Sequence, residues 1–535
     1  MDEFKNFTVT NNVYKGKVLP YITDYKSLGE IIWIKLKSHG DKIAQLDALT
    51  DQVVTYAELQ DKVVRCALWL QKQGIKSGDV VSVCTKNHPN SIVPCLAAAY
   101  INALFNPWNE NMDLQNALYF IRLTTPKAIF CSEKAANAIL SAIKQSNCNP
   151  IVVVFGENPD RISFSDILNM YTDTEMANFR YVKLDDVKQT ACIMHSSGTT
   201  GMPKGVEISN YSLLQISENE KLNLNNAVSI WFSSLYWSSG VIMSLNAIVH
   251  GSKMILYPDF DEEMTCRLIE KYKVTMTFLN TSMTTRFLKA GYIKNYSLSS
   301  LKVILCGGAI LNPKVQKELR CILPHVQILQ SYGMTELGLA TLQLSHHKDG
   351  SCGTIVKNVQ MKIVDPENGK VLDPNKLGEI WIKTATMMNG YYRNPEATKN
   401  SINEEGWMQS GDIGYFDQDG ELFIVDRIKE MMKYRGYQIL PGEIEGILAL
   451  HPEVLEVAVI GVPHPLDNEH PVAYVTKIPG AKVMEQELID LVANNMLDQY
   501  KLRAGVIFLD AFPYTGSDKI ARKELRAMAK QLAIE

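Results

Sequence analysis

The chain has 535 residues, more than one ordinary core holds, so two to four structural units are expected. With 46% hydrophobic and 21% charged residues it has the composition of a folded globular protein and not of a disordered one. Its 54 Lys and Arg against 58 Asp and Glu leave a formal charge of −4, which excludes a global basic field that would recruit nucleic acid or an anionic membrane.

The opening "MDEFKNFTVT" carries acidic residues and lacks the apolar core of a secretory signal. "TYAELQDKVVRCALWLQKQG" sets Leu59, Val63, Cys66, Ala67 and Leu70 at helical spacing, with Gly74 as the stop. "GDVVSVCT" then predicts a strand. The longest apolar run, "SIVPCLAAAYINALF" from Ser91, is broken by Pro94 and Asn102 and falls short of the ~20 residues of a membrane span, so it predicts a buried helix. "KAIFCS", "PIVVVFG", "KVTMTFLN" and "LKVILCGG" continue as strands between helical stretches, which implies α/β layers with mainly parallel sheets. Near residue 350 the style changes: "VQMKIVD", "GEIWIKT" and "ELFIVDR" are closely spaced strands suited to a small antiparallel or β-barrel region. After Asp426, "DRIKEMMKYRGYQ" leads into the helical "PGEIEGILALHP" and the strand "EVAVIGV". A large domain over 1–425 and a compact α+β module over 426–535 are therefore expected.

The ten cysteines are scattered without a CxxC pair and read as reduced, buried thiols; the ten histidines show no HExxH spacing, so no transition metal held by protein ligands is expected. The end, "QLAIE", lacks an SKL-type peroxisomal tripeptide, and a cytoplasmic location is the default.

The densest chemistry lies in "HSSGTTGMPKGVEISN", residues 195–210. Glycines let backbone approach an anion, hydroxyls and N–H groups can donate to it, and Lys204 supplies a point charge. The spacing is not that of a Walker loop, because Gly205 follows Lys204. By composition alone a phosphate cradle and a plain surface turn remain equally open.

The order of further segments decides between them. "SSGTTGMPKG", "GGAIL" from Gly307, "SYGMTE" from Ser331, "WMQSGD" ending at Asp412, "VDRIKEMMKYRGYQILPGEIE" and a late Lys519 resemble the signature blocks of the adenylate-forming superfamily. The similarity spans nearly the whole chain and is strongest to acyl-CoA synthetases related to aromatic CoA ligases and insect luciferases. It implies a large amino-terminal domain, a small mobile carboxyl-terminal domain and ATP-dependent activation of a carboxylic acid, with ATP, Mg2+ and coenzyme A as cofactors. By that resemblance Ser196, Ser197, Gly198, Thr199, Thr200, Gly201 and Lys204 hold the phosphates. Glu336, beside Thr335, ligates Mg2+, as a hard cation prefers carboxylate oxygen. Tyr332 stacks on adenine near Gly333, with Gly308 and Ala309 on the other side; Asp412 takes the ribose hydroxyls with Arg427. Lys429 and Lys433 contact nucleotide, Arg435 and Gly436 meet coenzyme A, Asp426 is the hinge, and Lys519 stabilises the charge that develops during adenylation.

Several positions depart from the family pattern. Trp237 stands at or near the place of a His beside the acyl carboxylate, Asn210 replaces a His after the phosphate loop, and Asp518 replaces the Gly before the late lysine. Ile216 falls where firefly-type enzymes have a luciferin-contacting Arg, and Leu339 where they have a Ser. Both make the acid pocket more apolar. A medium or long fatty acid is expected as substrate, with a luciferase-like oxygenation of an adenylated luciferin as the alternative.

Overall fold

The computed structural model describes residues 7–18, 25–156, 161–196, 202–217, 225–344, 347–514 and 520–532, the last two of these without their side chains. Residues 197–201, 518 and 519 lie outside the described residues.

The α/β expectation holds. The helix predicted up to Gly74 runs over Tyr56–Lys72, opened by a capping box in which Thr55 and Glu58 satisfy each other's backbone N–H groups. The apolar run from Ser91 does not form one helix. Its helix covers only Val93–Tyr100; Asn102 then turns the chain at φ +54° and the strand Leu104–Trp108 begins. Asn tolerates this left-handed conformation, and a purely apolar reading of the run misses that turn.

Two sheets build the large domain. One has eight strands, six of them parallel from Thr190–Ser196 to Ile162–Ser163, with Lys204–Ser209 and Gly390–Tyr391 added antiparallel at the edge. The other has nine, including the parallel set Lys253–Leu256, Val228–Trp231, Met276–Asn280, Val303–Gly307 and Gln327–Met334. A single core cluster takes Val81, Phe105 and Phe130 from the first sheet and Trp231, Met254 and Phe278 from the second, together with helices Leu28–His39 and Tyr56–Lys72 between them. Separate clusters cover the outer faces, under helices such as Leu114–Thr124 on one and Glu262–Tyr272 on the other. The result is five alternating α and β layers.

The antiparallel region expected near residue 350 is a six-stranded sheet that recruits the amino-terminal strands Phe7–Thr10 and Val13–Gly16 alongside Val359–Val364, Gly378–Thr384, Met408–Phe416 and Leu422–Arg427. The stack of Tyr14 on Phe416, 3.8 Å between centroids, fastens the chain's start to it. The small domain has a five-stranded sheet drawn from Met432 to Phe508. Its long hairpin alternates strictly: Val459, Ala473 and Val475 face the core under Glu485–Asn495, while Ile460, Val472 and Tyr474 face Leu525 and Ala529 of the helix Arg522–Leu532.

All ten cysteines are free, and only Cys148 and Cys321 are not buried. Among the described residues no helix is long and apolar enough to cross a membrane.

Candidate active site

The carboxyl ends of parallel strands in an open α/β sheet gather a ligand because the connecting loops and backbone N–H groups converge there. In the nine-stranded sheet those ends are Asn280, Gly307 and Ser331–Tyr332, and all of them line one cleft of about 1720 Å³. The opposite wall comes from the other sheet, where strand Thr190–Ser196 ends in a hairpin whose last pair is Ser196 with Lys204. Small-domain residues including Ile520, Ala521, Arg522 and Lys523 close the third side.

Asp412 is buried at one end of the cleft with its side chain 6% exposed. Its Oδ2 accepts the Tyr332 hydroxyl at 2.6 Å and its Oδ1 accepts Arg427 Nε at 2.9 Å. These bonds occupy two of about four acceptor sites on the carboxylate and leave capacity for two hydroxyls. The carboxylate has left water, so the pair differs from an exposed surface ion pair, although the Arg427 side chain stays 41% exposed. Burial, then the Asp412 charge, hold the Tyr332 phenol well above its usual range. Gly308, at φ +90°, and Ala309 lie on the same cleft wall.

Glu336 sits in the turn between Gln327–Met334 and Gly338–Leu342, so it is not a helix-start carboxylate. The turn is tight: a Cβ on Gly333 would stand 2.3 Å from the Gly338 carbonyl oxygen, which excludes any other residue there. Glu336 is 7% exposed, and its Oε1 accepts the Tyr391 hydroxyl at 3.0 Å. Lys204 Nζ lies 4.6 Å from the centre of the same Tyr391 ring. Burial, followed by the charge of Glu336, pushes the Tyr391 phenol up. Tyr391 thus links the proposed phosphate lysine to the proposed metal carboxylate. No local pattern marks it, since it acquires that place only when the two-residue strand Gly390–Tyr391 pairs with Lys204–Ser209.

The donor set fits the expected ligands. A buried carboxylate with one oxygen engaged suits a hard cation that keeps most of its waters, and the Asp412 end suits a ribose. Ser196, Lys204, Thr335, Gly333 and Lys429 also line the cleft. Burial and then Arg427 lower the Lys429 amine to about 8. Lys433, Arg435 and Gly436 do not line it; they lie on the exposed hairpin Met432–Tyr434 and Tyr437–Ile439. Arg435 and Gly436 have φ +46° and +84°, so the two-residue turn itself calls for glycine at the second position.

Trp237, Ile216 and Leu339 also line the cleft. Trp237 packs edge-on against Tyr236, centroids 4.5 Å apart. Behind Tyr236 lies His195, near the end of strand Thr190–Ser196, a residue that no local pattern marks. It is 3% exposed, lines the cleft and stacks on Tyr236 at 5.8 Å, and burial lowers its imidazole to about 3, so it is neutral. Asn106 Nδ2 lies 2.8 Å from Nε2, while Nδ1 has no partner among the described residues. Asn210 is accounted for by structure: its Oδ1 accepts Leu28 N at 2.9 Å and its Nδ2 donates to Gln189 O at 3.0 Å, fixing a helix start.

Asp426 is buried at the junction, where its Oδ1 accepts Arg427 N at 2.7 Å and its Oδ2 accepts Gly442 N at 2.8 Å. Burial raises its carboxyl to about 6. Further along the interface Ser282 Oγ donates to Glu456 Oε1 at 2.8 Å, Lys314 Nζ to Leu450 O at 2.9 Å, and Lys289 Nζ to the Val454 carbonyl.

Comparison with known proteins agrees with this geometry. Residues 33–392 match the family described as AMP-binding enzyme and residues 443–519 match its C-terminal domain. The chain is 31% identical to 4-coumarate-CoA ligase 4 of Arabidopsis thaliana, over 95% of this chain and 92% of that one. It is 32% identical to luciferin 4-monooxygenase of Photuris pensylvanica, over 94% and 95%. The ATP-bound structure of MatB from Rhodopseudomonas palustris superposes with a TM-score of 0.85 at 26% identity, covering 94% of this chain and 99% of that one. With these matches over nearly its full length, and a cleft suited to nucleotide, metal and acid, the chain belongs to the AMP-binding family of adenylate-forming enzymes.

Proposed function

We propose that the protein is an ATP- and Mg2+-dependent acid–CoA ligase acting on a medium or long fatty acid. The observation that supports this reading is one cleft that gathers buried Asp412 with Tyr332 and Arg427, Glu336 and Lys204 around Tyr391, and the apolar side chains of Ile216, Trp237 and Leu339.

A carboxylate is a poor electrophile because its leaving group would be oxide. In the first step its oxygen attacks the α-phosphorus of ATP, the bond to the bridging oxygen breaks, and pyrophosphate leaves. Asp412 and Arg427 hold the ribose, Tyr332 with Gly308 and Ala309 holds adenine, and Ser196 through Gly201 with Lys204 hold the phosphates. Mg2+ at Glu336, when bound, neutralises phosphate charge, and Lys519 stabilises the charge gathering on the departing oxygens. In the second step a thiol attacks the acyl carbonyl, AMP leaves and the thiol proton passes to solvent. For this the small domain turns about Asp426 and brings Arg435 and Gly436 to the cleft. In the orientation described here residues 520–523 line the cleft and that hairpin does not, which favours the first step.

The apolar wall supports a fatty acid, whereas the similarity to 4-coumarate-CoA ligases supports an aromatic one; kcat/KM across both series decides. A second reading, luciferase-like oxygenation, is favoured by the 32% identity to luciferin 4-monooxygenase, and light without thioester on adding luciferin would establish it. Ten free thiols accord with a reducing, cytoplasmic location.

A further inference from the structure

The long hairpin of the small domain joins Val454–His464 to Asn468–Lys477, with His464 opposite Asn468 and Val462 opposite His470. His464 and Val462 share a face, so His464 and His470 are diagonal neighbours on it. Their rings stack 4.0 Å apart at 19°. Asp467 folds back from the turn between them: its Oδ2 is 2.8 Å from His470 Nε2 and 3.6 Å from His464 Nδ1. The three atoms lie within 4.8 Å of one another.

Hydrogen bonds fix how these atoms are presented. His464 Nδ1 accepts the backbone N–H of Asp467 at 3.2 Å and of Leu466 at 3.4 Å, so it carries a lone pair. That nitrogen stands 3.6 Å from Asp467 Oδ2, and an ion held by both atoms would replace the two long backbone bonds that its lone pair accepts. Arg435 Nε, 2.6 Å from Oδ1, fixes the carboxylate so that Oδ2 is presented to the imidazoles.

We propose that His464, Asp467 and His470 bind one divalent transition-metal ion of the zinc class, outside the nucleotide cleft. Two imidazole nitrogens and one carboxylate oxygen are a borderline donor set, which selects Zn2+ or Co2+ over Mg2+ or Ca2+. The side chains of His464 and His470 are 33% and 19% exposed, so water completes the coordination. The Arg435 charge opposes the ion and keeps affinity moderate. The sequence reading expected no such site, because His-x2-Asp-x2-His becomes a cluster only once the hairpin turn folds Asp467 back. In this domain orientation none of its ligands lines the cleft, and the site adjoins the acid–CoA reading only through Arg435, which holds Asp467 and is the residue that reading brings to coenzyme A.

The test is Co2+ titration of the full chain without ATP or Mg2+, followed by visible d–d absorption and equilibrium dialysis, with Zn2+ as competitor. The expected result is one Co2+ per chain, displaced by Zn2+, with affinity lowered about tenfold or more in His464→Ala and in His470→Ala and raised in Arg435→Gln. Thermal unfolding without metal checks that the variants fold, and Zn2+ should raise the midpoint of the native chain but not of Asp467→Asn. Absence of stoichiometric Co2+ in the native chain overturns the proposal. So does binding that survives both histidine substitutions, as it would at the exposed thiol of Cys321.

Discussion

Asp412→Asn isolates the reading of the ribose. The substitution keeps size and one acceptor but removes the charge that Tyr332 and Arg427 hold in place from 2.6 and 2.9 Å. A hydrogen bond to a charged group contributes about 1.5–3 kcal/mol and a neutral one about 0.5–1.5 kcal/mol. If Asp412 takes the 2′-hydroxyl, the native enzyme should prefer ATP over 2′-deoxy-ATP by about 13-fold to about 160-fold in kcat/KM. In the variant the preference should shrink to roughly twofold to thirteenfold. The assay is acid-dependent pyrophosphate release with each nucleotide, and the ratio cancels any general loss from disturbing Arg427. An unchanged ratio would refute the assignment, whatever the variant does to the absolute rate.

Tyr391→Phe removes the hydroxyl on Glu336 but keeps the ring under Lys204; the Mg2+ concentration for half-maximal activity should rise about tenfold, and an unchanged requirement counts against the link. Lys289→Met cuts the bond to the Val454 carbonyl and should slow adenylation severalfold while sparing thioester formation from a supplied acyl adenylate; equal slowing of both steps would show no role in domain orientation. Asp426, raised by burial from 3.8 to about 6 with Glu445 and Arg522 facing it, binds its proton more tightly when folded. Its contribution is therefore most favourable below about pH 4 and is lost as pH rises through 6, a cost of roughly 3 kcal/mol at neutral pH. Urea unfolding of the native chain and of Asp426→Asn should accordingly show the native losing about 1 kcal/mol relative to the variant between pH 5 and 7.5, whereas a parallel pair of curves would contradict the assignment. His195→Phe should alter acid preference through Tyr236 and Trp237 while leaving the KM for ATP within about twofold, and an ATP-only effect would separate His195 from the acid wall.

Strands such as Val80–Cys84 and Val303–Gly307 were legible because buried parallel strands are short apolar runs between turn signals. The break at Asn102 was not, since an apolar run of mixed helix and strand has no period to show where it changes. The Asp412 and Glu336 neighbourhoods were legible only because the order of motifs resembles a family; each residue by itself is an ordinary carboxylate. Tyr391, His195 and the His464–Asp467–His470 cluster gain meaning from pairing between strands far apart, or from a turn, which local sequence does not encode. Asn210 looked like a lost functional histidine, whereas its amide is spent on the backbone of Leu28 and Gln189.

The central claim is formation of an acyl adenylate, and exchange of labelled pyrophosphate into ATP measures it without requiring turnover of the second step. Purified protein with ATP and Mg2+ should exchange only when a suitable acid is added, fastest among fatty acids, and should yield acyl-CoA only when coenzyme A is supplied as well. Absence of acid-dependent exchange across fatty, aromatic and luciferin acids, in protein that still binds ATP, would contradict the account.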